Sequence, residues 1–109
     1  MSADLSQLMA RAQEAQQKLQ ELQQELALRR VEGSSGGGMV KASVSGGMRV
    51  LAIEIEPALL DGGDREMLQD LVAAAVNAAL GNAQRMVQEE MQRASASFNL
   101  PVQLPGSGD

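Results

Sequence analysis

The sequence contains no cysteine and no histidine, and Phe98 is its only aromatic residue. The lack of cysteine excludes disulfides and thiol chemistry, and it fits a reducing compartment. The lack of histidine removes the commonest acid–base group, and together the two absences remove the usual zinc ligands. The hydroxyl side chains have no nearby general base to activate them. We therefore predict a protein that is not an enzyme, with no catalytic residue, no metal, no cofactor and no small-molecule substrate.

Long apolar runs and basic charge are also scarce. No segment approaches the roughly 18 apolar residues of a membrane span, and the N-terminus does not read as a signal peptide. We expect a cytoplasmic protein with no membrane partner. The net charge is -5, with 9 basic and 14 acidic residues, which by itself argues against nucleic acid. The acidic excess lies in residues 31–70, however, so a polyanion is expected to meet the near-neutral segments on either side.

The centre of the chain, residues 31–60, carries the pattern of β-strands. Apolar residues alternate with polar ones before and after Gly46-Gly47, and a weaker strand is predicted from Arg30 to Ser34. We predict a small three-stranded antiparallel sheet with one apolar face, which other elements must cover. Ile53 is expected on the core side and Glu54 in solvent. The apolar face is formed by Val40, Ala42, Val44, Leu51, Ile53 and Ile55.

Residues 1–30 are predicted to form one long helix. Its apolar residues follow a heptad pattern, which we call the leucine stripe: Leu5, Leu8, Ala12, Ala15, Leu19, Leu22 and Leu26. The stripe fits packing on the chain's own sheet, and it equally fits a contact with another helix. About 25 helical residues at roughly 1.5 Å each span about 37 Å, so part of the helix is expected to project from the domain.

A second long helix is predicted over residues 64–97, with Asp64 as its N-cap. Its segment LVAAAVNAAL, residues 71–80, is apolar nearly all round and is therefore expected to be buried on two sides. We place this segment between the sheet and a second copy of the chain, which predicts a homodimer. Residues 98–109 are expected to form an extended tail of a single 1–109 domain. The predicted dimer interface comprises Leu71, Val72, Ala75, Val76 and Ala79.

Several stretches, in this order and spacing, resemble the YbaB/EbfC family of nucleoid-associated proteins. The resemblance covers about residues 5–105. It is carried by LMARAQEAQQKLQELQQEL from Leu8, VEGSSGGGMVK from Val31, IEIEPALL from Ile53, MLQDLVAAA from Met67 together with Asn77, and QLPG from Gln103.

The resemblance implies an α+β fold and a tweezer-like homodimer whose helical arms project from a joined body. It also implies binding to double-stranded DNA with little sequence preference, at the nucleoid, in nucleoid organisation or gene regulation. The first helix carries fewer cations than is usual in the family, so we expect weak to moderate affinity that is sensitive to salt. The candidate DNA-binding residues are Arg11, Lys18, Arg29, Arg30, Arg85 and Arg93.

Other roles are open for these cations. Arg29 and Arg30 lie in the last turn of the predicted helix, where positive charge suits the helix dipole. Arg11 is suited to pair with Glu25 of an antiparallel helix. The competing functional hypothesis is an acidic helical adaptor that binds partner proteins through its heptad arms without contacting DNA.

Overall fold

The chain folds as two long helices joined by a small antiparallel sheet. The computed structural model describes residues 2–98, and the side chains of residues 4–97. Helix α1 spans Ser2–Leu28, and strands β1, β2 and β3 span Arg30–Ser35, Val40–Ser45 and Val50–Ile55. A short helix α2, Pro57–Asp61, precedes the long helix α3, Arg65–Phe98. This confirms the predicted α+β order. The predicted tail lies outside the described residues, except for Phe98, the last residue of α3.

The three strands form an antiparallel meander in the order β1-β2-β3. In the first ladder Val31 lies opposite Val44, and in the second Ala42 lies opposite Ile53. A shift in register between Ser43 and Val44 brings Val44 opposite Val50, so β3 carries a bulge at this end. The side of the sheet that faces α3 is thus apolar across all three strands.

Helix α3 covers β1 and β2. Val40, Ala42 and Val44 are fully buried under Ala75, Ala79 and Ala83 of the helix. Small residues on both sides allow the backbones to approach closely. Gly33 shows how closely, since a methyl group there would overlap the backbone of Ala79. Two hydrogen bonds fix the helix on β1, from Ser35 Oγ to the Leu71 carbonyl at 2.6 Å and from Asn82 Nδ2 to the Glu32 carbonyl at 2.9 Å.

Strand β3 is left largely uncovered. Helix α3 packs along β1 and β2, and β3 forms an edge of the sheet in the described chain. Ile53 is 41% exposed and Leu51 is 49% exposed, although Ile53 lies on the side that faces the helix. The expectation that Ile53 belongs to the core of the chain is therefore wrong for the single chain, because α3 is centred over β1 and β2.

The base of α1 is anchored to the hairpin between β2 and β3. The Gly47 amide donates to the Ala27 carbonyl at 3.1 Å, and the Gly46 amide donates to the Arg29 carbonyl at 3.0 Å. A methyl group on Gly46 would overlap the Leu26 carbonyl oxygen. The hairpin therefore caps the C-terminal end of α1, whose carbonyls have no partners within the helix. This contact fixes the direction in which the arm leaves the sheet.

Helix α3 begins as the sequence predicts. The Met67 amide donates to Asp64 Oδ1 at 3.0 Å, which is the N-cap bond, and Glu66 lies in the first turn. No helix of the described part is long and apolar enough to cross a membrane.

Candidate nucleic-acid interface

The six candidate cations are distributed along a paired arm and its base. The leucine stripe packs α1 against α3 along the base of the arm, where Leu26 is 1% exposed. Arg11 and Lys18 lie along α1, and Arg29 and Arg30 lie where α1 meets β1. Arg85 and Arg93 lie on the C-terminal half of α3. All six residues are exposed, so the arm presents them to solvent.

Four of these side chains have acidic or amide partners. Lys18 pairs with Glu14 at 3.8 Å, and Arg93 pairs with Glu90 at 3.2 Å. Arg29 lies between two carboxylates, at 3.6 Å from Glu25 and 3.7 Å from Glu90. The Glu90 contact joins the residue that follows α1 to α3. The fourth, Arg85, donates to Asn82 Oδ1 at 3.2 Å.

Such pairs do not remove the cations from consideration. Lys18 and Glu14 have side chains 57% and 66% exposed, and exposed pairs of this spacing contribute only about 0.3–0.5 kcal/mol. A phosphate oxygen can therefore compete with Glu14 for Lys18. Glu14 lies four residues before Lys18 on the same helix face, a spacing at which oppositely charged side chains meet.

Arg11 differs from the other candidates. Among the described residues it has no ion pair or hydrogen-bond partner, and it lies on the projecting half of α1 where all residues from 4 to 14 are exposed. Its guanidinium is therefore open to an incoming anion without displacing a carboxylate. Arg11 is the cation best placed to contact a phosphate.

Arg49 is a further cation at the base of the arm, which the sequence pattern did not single out. Ser45 lies opposite Arg30 in the sheet. On its other side the Ser45 amide donates to the Arg49 carbonyl at 2.8 Å, and the Arg49 amide donates to Ser45 Oγ at 3.3 Å. The Arg30 side chain donates to Ser43 Oγ at 3.0 Å. The strand pairing thus brings Arg30 and Arg49 to either side of Ser45. Heptad spacing gives no signal for this arrangement, because it depends on the register of the hairpin.

The predicted dimer-interface residues divide into two groups. Ala75 and Ala79 are fully buried in the core of the single chain, where they face the sheet. Leu71, Val72 and Val76 are partly buried at the edge of that core. Only the second group is open to a partner chain. Their role at an interface stays a prediction.

The described residues do not form a metal site. They contain no group of three or more His, Cys, Asp or Glu side chains placed to hold a metal ion. The feature of this structure that suits a nucleic acid is the elongated arm with its exposed cations.

Comparison with known proteins decides the family. The model of the YbaB/EbfC DNA-binding family matches residues 1–98. The chain belongs to the YbaB/EbfC DNA-binding family. A nucleoid-associated protein, TTE0040, from Caldanaerobacter subterraneus subsp. tengcongensis is 43% identical over 98 residues, which cover 90% of this chain and 88% of the relative. A nucleoid-associated protein from Pelotomaculum thermopropionicum is 44% identical over 101 residues, which cover 93% and 96% of the two chains.

A solved structure shares the fold. The crystal structure of the uncharacterized protein HP0035 from Helicobacter pylori aligns with a TM-score of 0.57 at 26% identity, covering 86% of this chain and 92% of that chain. The YbaB/EbfC family is one of DNA-binding proteins and not a known class of enzyme. The match does not favour the adaptor hypothesis.

Proposed function

We propose that this protein is a homodimeric, nucleoid-associated protein that holds duplex DNA between its helical arms with little sequence preference. It acts in nucleoid organisation or gene regulation, in the cytoplasm. The observation that carries the proposal is the family match over residues 1–98, combined with an unpaired arginine on a projecting arm.

The distribution of charge supports binding through phosphates. The arm cations reach the solvent, and the acidic excess lies in the body of the protein, residues 31–70. Residues 2–97 contain no aromatic side chain that could stack on a base. Contacts with phosphates position a protein on DNA but carry no direct sequence information, so weak preference is expected.

The homodimer is supported by the uncovered strand. Val50, Leu51 and Ile53 are each between 41% and 49% exposed along one edge strand. An edge strand of this kind favours pairing with another chain, and the apolar side chains favour burial. A two-fold axis beside β3 would cover both copies of the strand and leave two arms projecting from one body.

A titration of DNA binding against salt tests this function. The logarithm of affinity falls with the logarithm of salt concentration by about 0.9 per phosphate contact. The double variant Arg11→Ala/Lys18→Ala removes up to four contacts from a dimer, so its slope should be shallower by up to roughly 3–4. Wild type should bind a DNA duplex at low salt, seen as a shift in its electrophoretic mobility, and this binding should disappear near physiological salt.

The matched control is Lys41→Ala/Arg65→Ala, which removes the same charges from exposed positions on the body. The slope of this control should differ from that of wild type by no more than about 0.9, the contribution of one phosphate contact. Equal loss of slope in both variants would show that net charge, and not the arm, governs binding. No shift of wild type at low salt would end the DNA proposal.

A further inference from the structure

In the described chain, the leucine stripe of α1 is buried toward its base and exposed to solvent at its tip. Toward the base Ala15 is 5% exposed and Leu26 is 1% exposed. Toward the tip Leu5 is 60% exposed, Leu8 is 63% exposed and the adjoining Met9 is 57% exposed. We call the segment from residue 4 to residue 14 the arm tip. Its stripe continues, without a change of register, the one that α3 covers further down.

The exposed arm tip lacks the packing that stabilises most helices in proteins. Isolated helices shorter than about 12–15 residues are marginal in water, and most helical stability in proteins comes from packing one apolar face. The arm tip is three turns long, and each residue from 4 to 14 is exposed in the described chain. Its leucines are therefore available to another helix.

The charges beside the stripe specify which helix fits. Asp4 and Arg11 occupy equivalent heptad positions, one heptad apart, on the same flank of the leucines. In an antiparallel helix pair the residues on this flank face each other. Two arm tips that pack Leu5 of each chain against Leu8 of the other would therefore set Asp4 of each chain beside Arg11 of the other. By symmetry, the contact would then contain two ion pairs between Asp4 and Arg11.

The parallel arrangement lacks this complementarity. In a parallel pair Asp4 would face Met9 of the other chain and Arg11 would face Gln16, so no ion pair would form. Two arms that project from one body in the same direction cannot run antiparallel at their tips. The antiparallel partner must therefore come from a second dimer.

We propose that the arm tip is a self-association surface, through which two dimers join by antiparallel pairing of Leu5 with Leu8. The biological meaning of this surface rests on the proposed function, because the joint would connect DNA-bound dimers to one another. At a joined tip Arg11 is paired with Asp4, and the other arm cations make the phosphate contacts. The occupant is a second copy of this chain. The contact is small, so it forms at high local concentration, such as that of dimers bound side by side on DNA.

Sedimentation velocity without DNA tests the proposal over a range of concentrations. Wild type should show association beyond the dimer that rises with concentration. The variant Leu5→Gln/Leu8→Gln should weaken this association at least about tenfold, because two apolar side chains leave the contact. Its helical circular dichroism and its dimer should persist, since these side chains are 60% and 63% exposed in the described chain.

Charge exchange makes the test specific. Asp4→Arg gives tips with two cations, and Arg11→Asp gives tips with two carboxylates, so each variant alone should associate less than wild type. A mixture of the two variants should restore association, and so should the double exchange in one chain. Failure of the mixture to associate more than either variant alone would overturn the antiparallel pairing.

The outcome for wild type separates this inference from the DNA proposal. If wild type stays at the mass of a dimer at every concentration, the arm tip is not a self-association surface, whatever the DNA titration shows. If wild type associates through its tips and shifts no duplex at low salt, the surface stands and the DNA proposal fails.

Discussion

Strands β2 and β3 carry similar apolar residues on the side that faces α3, yet only β2 is buried. Val40, Ala42 and Val44 of β2 are fully buried, whereas Ile53, directly opposite Ala42, is 41% exposed. The difference comes from the position of α3, which lies over β1 and β2. The same alternating pattern thus forms a core in one strand and an open surface in its neighbour.

This contrast separates two kinds of apolar residue. Those on β2 are needed for the single chain to fold, because they and three alanines of α3 form its core. Those on β3 stay available after folding, and we assign them to the homodimer. Substitutions in the two strands should therefore differ in kind, with β2 affecting folding and β3 affecting association.

The largest effect is expected from a charge in the core under β2. Ala75 is fully buried, so Ala75→Glu should destabilise the chain by more than about 4 kcal/mol and unfold it. Far-ultraviolet circular dichroism would report the loss. The neighbouring Ala74 is exposed, and Ala74→Glu should keep the helical spectrum. A folded Ala75→Glu variant would contradict the packing of α3 on β2.

Truncation of one residue in each strand sharpens the comparison. Val44→Ala should cost about 2 kcal/mol or more at any protein concentration, since it leaves a cavity in the core of the chain. Ile53→Ala should cost about 1 kcal/mol in dilute solution, and more at high concentration as dimers form. Urea denaturation at two protein concentrations would compare them. Losses that depend equally on concentration would argue against separate roles.

The hairpin that joins the two strands should show an intermediate effect. Gly46→Ala places a methyl group against the Leu26 carbonyl and should cost about 1–3 kcal/mol by overpacking the base of the arm. Gly47→Ala meets its nearest atom, the Ala27 carbonyl oxygen, at 3.3 Å and should cost less than about 1 kcal/mol. Thermal unfolding would measure both. A reversed order would contradict the anchoring of α1 by this turn.

The smallest effect is expected on the opposite face of β3. Glu54 lies opposite Lys41 and is exposed, so Glu54→Ala should change the free energy of unfolding by less than about 0.5 kcal/mol. Urea denaturation would measure the change. A loss as large as that of Ile53→Ala would mean that both faces of β3 are covered in solution.

Local pattern was sufficient to predict the two long helices and the three strands of this fold, but not the short helix α2. Heptad spacing predicted α1, alternation predicted the strands, and Asp64 marked the start of α3. The burial of individual residues could not be predicted in the same way. Ile53 and Val44 are both apolar residues that alternate with polar or small neighbours in a predicted strand. Only the lateral position of α3 over the sheet makes their burial different.

The candidate site was predictable to the same degree. Helical spacing places Arg11 and Lys18 along one arm, but their surroundings depend on rotamers and on strand register. The pairing of Arg29 with Glu90 joins residues far apart in the chain, and only the hairpin brings Arg49 beside Ser45, the residue that lies opposite Arg30. The contribution of each cation to DNA binding stays a prediction.

Sedimentation equilibrium of wild type and Ile53→Asp tests the assignment of β3 most directly, with Glu54→Ala as the control on the opposite face. Wild type and Glu54→Ala should have twice the chain mass of 11.5 kDa. Ile53→Asp should have the single-chain mass and keep the helical spectrum. A wild-type protein at the single-chain mass, an Ile53→Asp variant that remains dimeric, or one that unfolds would each contradict the assignment of β3 to the dimer interface.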